Sequence, residues 1–387
     1  GIRTGDKLSL PHRYSRHKSE TGRTLASEIQ RIKSDCKKCG LCAAECGFLQ
    51  TYGLPGQIAS RCDFSNPEQQ KIAFECNLCG LCKAVCPLNL NMADLLLEVR
   101  RKAVSAGNID LSCYAPVLNY EKLGRSPLFS FYGLPEGCNS VYFPGCAFAG
   151  TRQETAWSIF EYLRKRDPRT GIVLDCCGKP SHDLGRQKKF ESAFAKISSR
   201  LEAAGVGQII VNCPSCHQTF EKYGKSFSVK TVYELIDENI SPQTAEKNEI
   251  LTIHDPCPMR FKVAVQESIR KIVSKMGFSV YEMPHSGNCA LCCGEGASVR
   301  FVSPGLAEKW KAERKKECGD KKIVTYCAAC AENLKRTTPT VHILDLFFKS
   351  TLPRQCNNGP MATVSAHFER LRLKHRLMNE FKSATKK

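Results

Sequence analysis

The residues of this chain that can do chemistry are above all its cysteines, which number 24 in 387 residues. Cys36-x2-Cys39-x2-Cys42-x3-Cys46 is followed by Cys76-x2-Cys79-x2-Cys82-x3-Cys86-Pro87. Three closely spaced thiolates can hold three corners of a cubane 4Fe–4S cluster. In two-cluster ferredoxins the fourth thiolate of each run reaches across to the other cluster. One cubane is therefore expected on Cys36, Cys39, Cys42 and Cys86, and a second on Cys76, Cys79, Cys82 and Cys46. Gly40 and Gly80 let the backbone pass close to a cluster, so that its amides can hydrogen-bond the sulfurs. Structural zinc uses paired CxxC elements, not four cysteines at this spacing twice over.

Ten further cysteines form two sets of five: Cys146-x29-Cys176-Cys177-x35-Cys213-x2-Cys216 and Cys257-x34-Cys292-Cys293-x33-Cys327-x2-Cys330. A lone cysteine, a Cys-Cys-Gly and a CxxC recur in the same order at nearly one offset, which marks an internal duplication. Five thiolates are too many for a tetrahedral structural zinc. Adjacent cysteines fit a regular cube poorly, though they can chelate a distorted cluster. Cys289, at CxxCC with Cys292 and Cys293, could compete as a ligand. Cys62, Cys113, Cys138, Cys289, Cys318 and Cys356 belong to neither pattern, and free cysteine is often simply a small buried hydrophobe.

The elements that must position these thiols differ along the chain. Residues 1–33 read as a basic arm, 34–100 as an α-helical ferredoxin domain, and 101–139 as a linker. From 140 onward short apolar strands alternate with longer helical patterns, as in βαβ units. Strands are predicted at 140–143, 171–174, 208–211, 250–253, 279–282 and 322–325, with helices at 152–164, 187–204, 260–276 and 304–316. The expected fold class is thus an α-helical two-cluster ferredoxin domain followed by duplicated α/β, Rossmann-like CCG domains at 140–248 and 249–350. The cysteines fall at strand ends, where loops gather on the carboxyl edge of a parallel sheet. A basic tail fills 351–387 and reads as a solvated surface.

Hydrophobic residues make up 42% and charged residues 25%, as in a globular protein. The formal charge is +19, reduced to roughly +15 once two cubane clusters with their thiolates are counted. No recognised nucleic-acid motif accompanies the basic runs, so no nucleic-acid partner is expected. No apolar stretch is long enough to span a bilayer, and no signal-peptide core is visible. The expected location is cytoplasmic, with peripheral attachment at the inner face of a membrane through a partner as a variant. No GxGxxG opens a strand-to-helix turn, so no flavin or NAD is expected on this chain.

The 29 residues between the cubane runs are long for a compact ferredoxin. They resemble the α-helical ferredoxin domain of fumarate reductase and succinate dehydrogenase iron–sulfur subunits. Joined to two CCG domains, the layout over roughly residues 30–350 resembles the D-type subunit of heterodisulfide reductase. The resemblance implies a non-cubane 4Fe–4S cluster on each set of five, and reduction of a disulfide between them. It also implies a partner that loads the clusters: a heterodisulfide reductase A-like or electron-transfer flavoprotein subunit, or a membrane cytochrome b. The iron–sulfur subunits of glycolate, lactate and glycerol-3-phosphate oxidising systems share the layout, usually with an incomplete set. Both sets are complete here, although the gaps of 29 and 33 are slightly shorter than the family's usual ones. A relay subunit without catalysis of its own is the alternative. Lys179, after the first CCG, and His217, after the first CxxC, are the candidate proton donors. His182, His254, Asp255, His285 and Glu295 also flank the sets.

Overall fold

The computed structural model describes residues 25–240, 249–349 and 364–384. Most of the expected basic arm and Cys356 lie outside them. Residues 25–105 contain helices and no strand among the described residues. The first helix, Leu25–Asp35, and the last, Met92–Ser105, pack together around short helical turns that carry the cubane cysteines. Asn91 starts the last helix, its Oδ1 accepting from the Ala93 amide at 3.1 Å. Leu95, Leu96, Val99 and Ala103 recur at helical spacing and bury against Ile32, Phe48, Ile58 and Phe74.

Nine strands follow among the described residues: β1 (Phe131–Gly133), β2 (Ser140–Phe143), β3 (Gly171–Leu174), β4 (Gln208–Val211), β5 (Ser228–Thr231), β6 (Ile250–His254), β7 (Ser279–Tyr281), β8 (Lys322–Thr325) and β9 (Thr340–His342). They form two sheets, ordered β1-β3-β2-β4-β5 and β7-β6-β8-β9. Omitting β1, which pairs antiparallel at one edge, both are parallel and have the same order. The duplication read from the cysteines is thus a duplication of topology. In each copy the first strand lies between the second and third. That reversal of strand order opens a crevice at the carboxyl ends. Buried Ile, Val and Leu on β3, β4 and β8 suit strands covered on both faces.

The six expected strands all form, to within a residue or so at their ends. The segment 101–139, expected as a linker, instead contains the helix Ala115–Gly124 and the edge strand β1. Its apolar residues Val117 and Tyr120 are buried, which a solvated linker would not allow. The tail was expected to be solvated. Its residues Val364–Ala384 are instead a helix laid on the first copy, burying Ala366, Arg370, Leu373 and Leu377. Phe381 of this helix meets Phe131 and Phe160 at 5.8 and 6.1 Å between ring centres. No helix among the described residues is long and apolar enough to cross a membrane.

Candidate iron–sulfur site

The two cubane runs fold into matching loops. Lys38 and Gly40 in the first run have φ of 54° and 83°, and Leu78 and Gly80 in the second have 50° and 70°. A left-handed residue on each side of the second cysteine curls the amides inward, as in the concave nests that hold anionic groups. Glycine is required at 40 and 80 for the backbone conformation, since open space surrounds the place of a Cβ at either. The thiols interleave across the runs. Burial pushes the Cys42 thiol up to about 12, with Cys82, Cys86 and Cys36 adding their repulsion. Cys46 is pushed up by burial and then by Cys79 and Cys76 of the other run. Burial likewise takes Cys76 to about 12 and Cys82 to about 11, with Cys79 adding to both. The crowding matches the crossed arrangement in which each run lends its last cysteine to the other. Thiols so placed repel one another as thiolates, a repulsion that a cationic metal core relieves.

The two sets of five also gather. In the first, Cys146 and Cys176 lie 3.6 Å apart, sulfur to sulfur. Cys216 hydrogen-bonds Cys177 and Cys213, and these contacts with burial raise its pKa far above the ordinary thiol range. In the second, Cys293 and Cys330 are 3.2 Å apart, Cys257 contacts Cys292, and Cys327 contacts Cys330. Cys292 is held well below the ordinary thiol range by hydrogen bonds from Cys257 and Cys293, helped by the Gly294 and Gly296 amides. Strand ends β2 and β4 deliver Cys146 and Cys213 to one side of the crevice. Strands β6 and β8 deliver Cys257 and Cys327 equivalently. The glycine of each Cys-Cys-Gly is left-handed, Gly178 at 84° and Gly294 at 95°. Within its set, every thiol neighbours another, as a multinuclear iron–sulfur group requires. The residues therefore fit such groups in all four places.

The copies and the helical domain meet at a cavity of about 410 Å³. Cys146, Cys176, Cys177, Cys213 and Cys216 line it, as do Cys257, Cys293, Cys327, Cys330 and Cys79. Lys83, Lys179, Lys262, Arg260 and Arg300 contribute positive charge, and Asp183, Glu221 and Glu295 contribute carboxyls. Of the two residues singled out as proton donors, Lys179 lines the cavity and is ion-paired to Asp183. His217 is buried and does not line it. Its Nδ1 has no hydrogen-bond partner, and burial lowers its pKa. Cys289 sits on a turn against the helix Leu81–Ala84, with Arg260 and Glu45 rather than a thiol for electrostatic neighbours. Cys138 and Cys318 are buried and Cys113 is exposed.

Residues that the sequence did not single out hold these parts together. Arg100 is fully buried and lies over Phe74. Its guanidinium donates to Ala73 O (2.9 Å), Cys76 O (2.6 Å) and Asp183 O (2.8 Å). A longer contact reaches Ala297 O at 3.5 Å. One side chain thus spans the helical domain and both copies. The only sequence signal is an arginine on the apolar face of a helix, between Leu96 and Ala103. Asn77 donates to Gly294 O and Gly296 O at 3.4 and 3.3 Å and accepts from Trp310 Nε1 at 3.0 Å. Arg260 donates to Cys79 O at 3.0 Å. Cys79 and Cys292 are close enough to raise the pKa of the Cys79 thiol, second only to burial. Arg152 joins the copies, ion-paired to Asp345 at 2.8 Å and Glu332 at 3.1 Å.

Comparison with known proteins agrees with this division. Residues 35–91 match the 4Fe-4S dicluster domain, and residues 140–221 and 251–335 match the Cysteine-rich domain. The chain belongs to the iron–sulfur proteins that join a dicluster ferredoxin domain to a pair of cysteine-rich domains. It is 23% identical over 202 residues to an uncharacterized iron–sulfur protein of Methanocaldococcus jannaschii, a match covering 50% of this chain and 40% of that protein. It is 22% identical over 184 residues to the glycolate oxidase iron–sulfur subunit of Escherichia coli K12, covering 41% of this chain and 44% of that one. The matches thus span less than half the length of either relative. An aspartate racemase homologue from Pyrococcus horikoshii OT3 superposes with a TM-score of 0.23 at 12% identity, covering 62% of this chain and 99% of that one; it carries no argument about fold. The chain is therefore an iron–sulfur protein of electron-transfer type.

Proposed function

We propose that this chain is the disulfide-reducing iron–sulfur subunit of a heterodisulfide-reductase-like complex. The observation that carries the reading is that all five cysteines of the first set and four of the second, Cys257, Cys293, Cys327 and Cys330, open on one cavity. Cys36, Cys39, Cys42 and Cys86 would hold one cubane, and Cys76, Cys79, Cys82 and Cys46 the other. Each set of five would hold a non-cubane 4Fe–4S cluster. When bound, these clusters supply one-electron carriers and iron sites that accept sulfur.

The chain's own residues set the order and the proton chemistry. Cys39 is exposed, which makes the first cubane loop the side where a partner flavoprotein or cytochrome b would deliver electrons. Cys79 abuts Cys292, which makes the second loop the inner side. A disulfide in the cavity takes two electrons and two protons, its S–S bond breaks, and two thiols leave. Lys179 stands at the cavity with Asp183 as its counter-ion, placed to give a proton to a leaving thiolate. Lys83, Lys262 and Arg300 offset the negative charge of the thiolates. A cytoplasmic setting, with any membrane contact made through a partner, accompanies this reading.

The second reading is a relay that passes electrons between a flavoprotein, cytochrome b or quinone and another redox enzyme. The likeness to a glycolate oxidase iron–sulfur subunit favours it. A reduced viologen dye offered with a panel of disulfides separates the two. Disulfide-dependent dye oxidation, lowered about tenfold or more in Lys179→Met, is the expected result. Dye oxidation that no disulfide stimulates would leave the relay.

A further inference from the structure

The duplicated copies place different residues at one equivalent position beside their cysteines. Phe143 stands three residues before Cys146 and ends β2. His254 stands three residues before Cys257 and ends β6. The registers confirm the equivalence: Phe143 pairs with Val211 and His254 with Thr325, each two residues before the CxxC of its copy. Phe143 is fully buried and packs edge-on against Phe220, with ring centres 5.0 Å apart. That is an ordinary core contact. His254 is equally buried, yet neither ring nitrogen has a hydrogen-bond partner.

A buried imidazole with both nitrogens unpaired is costly, because each group has given up its hydrogen bonds to water without replacing them. The surroundings show what could meet it. A ring nitrogen of His254 and the sulfurs of Cys293 and Cys330 all lie within 4.8 Å of one another. The backbone keeps the residue in place, since Thr325 Oγ1 donates to His254 O at 3.0 Å. Phenylalanine in the first copy offers its sulfurs no donor at all.

We infer that His254 belongs to the second cysteine-rich site. Its ring N–H donates to the thiolate of Cys293 or Cys330, and this makes the two sites of the duplicated scaffold unequal in redox potential. The inference rests on the reading that the second set holds an iron–sulfur cluster. Hydrogen bonds to cluster sulfurs stabilise the more negative, reduced state and raise the potential. The second site therefore keeps a higher potential than it would with the first copy's phenylalanine. Five cysteines already supply the iron ligands, which leaves the imidazole the role of donor.

The test uses the full chain with its clusters, labelled with 15N-histidine and prepared anaerobically. Pulsed EPR of the second site should show a weak 15N coupling of hydrogen-bond size, absent in His254→Phe. Redox titration of His254→Phe should move that site's reduction equilibrium about tenfold toward the oxidised state, or ~59 mV for a one-electron couple. The first site should not move, and iron content should not change. His254→Gln, which keeps an N–H donor and replaces the imidazole if the phenylalanine variant misfolds, should recover most of the shift. A second-site signal without 15N coupling overturns the inference. A coupling as large as that of an iron-bound nitrogen also overturns it, because histidine would then be a ligand. Iron sufficient only for the cubanes, with no second-site signal, overturns the underlying cluster reading and the inference with it.

Discussion

The first cysteine set has two arginines from outside its own repeat beside it, whereas the second is pressed against a cysteine loop of the ferredoxin domain. Beside the first set lie Arg125, from the helix region preceding the sheet, and Arg370, from the C-terminal helix. Arg125 pairs with Glu121 at 3.8 Å, and its Nε and Nη2 have no hydrogen-bond partner. Burial works against its charge, but Cys176, Glu121, Asp175 and Cys177 more than restore it. Arg370 is fully buried, donates to Gly124 O at 2.9 Å, and lies near enough to Cys146 to oppose the rise in that thiol's pKa caused by the contact with Cys176 and by burial. The second set has one cation from the other copy, Arg152, which lies near Cys327 but is paired to Glu332 and Asp345. Its arginines are occupied: Arg260 holds the carbonyls of Cys79 and Ala290, and Arg314 holds Glu317 and His285 O. The difference teaches that duplication reproduced the cysteine frame while the electrostatics were supplied separately. On the proposed reading, a second set pressed against the second ferredoxin loop is suited to receive electrons, and a first set with two buried arginines beside it is suited to hold them.

The largest test of this contrast is Gly145→Ala. Gly145 precedes the lone cysteine of the first copy with φ of 79°, and a Cβ there would lie 3.0 Å from both Cys213 Cβ and Cys216 Sγ. The second copy has Pro256 at that place, with φ of −67°. The substitution should remove the first site alone, lowering iron by about four atoms per chain, one cluster's worth. EPR signals of the second site should remain. Loss of both sites together would mean that the copies assemble as one unit. Next in size is Arg370→Met. Removing a buried, hydrogen-bonded cation and leaving Gly124 O unmet should cost about 3 kcal/mol, read as a lower denaturation midpoint. It should also lower the first site's potential and leave the second unchanged. An equal shift in both would break the comparison.

Much of this was visible in the sequence because thiolate spacing is dictated by cluster geometry, and cysteine has few other reasons to recur so regularly. Most of the six strand expectations held for a related reason: β2, β3, β4 and β8 are short, largely apolar runs bounded by turn residues. What escaped notice was carried by residues whose meaning depends on distant partners. Arg100 resembles any helical arginine until Cys76 O, Asp183 O and Ala297 O are brought around it. The helix Val364–Ala384 reads as a charged tail because only Ala366, Leu373 and Leu377 mark its buried face. Phe143 and His254 are equivalent only after the strands are registered. Asn77 follows a cluster cysteine and gives no sign that Trp310, over two hundred residues later, will donate to it.

That contact supplies a smaller test, aimed at the second copy's dependence on the ferredoxin loop. Asn77→Ala leaves Gly294 O, Gly296 O and Trp310 Nε1 without their partner, at a cost of about 2 kcal/mol. Iron content should be unchanged, because no ligand is touched. Rapid mixing with a reduced dye should show slower reduction of the second site, with the cubanes reduced at the original rate. Unchanged kinetics would separate this contact from electron delivery.

The smallest expected effect is a pH dependence confined to the second copy. His285 Nε2 lies 2.7 Å from Glu45 of the ferredoxin domain, and its Nδ1 faces Glu317. The hydrogen bond to Glu317, and then the charges of Glu317 and Glu45, raise its pKa above the ordinary 6.5. A histidine raised on folding contributes stability in full below its unfolded pKa, and that contribution fades as pH climbs through the folded one. The first copy has the opposite case in His182, which burial lowers to about 4, so it stays neutral near neutral pH. Hydrogen exchange around residues 41–47 and 285–289 should therefore quicken as pH climbs above about 6.5, beyond the intrinsic rise. Residues 179–185 should follow the intrinsic rise alone. His285→Gln should remove the extra dependence, and if it persists the charge on His285 does not hold the two domains together.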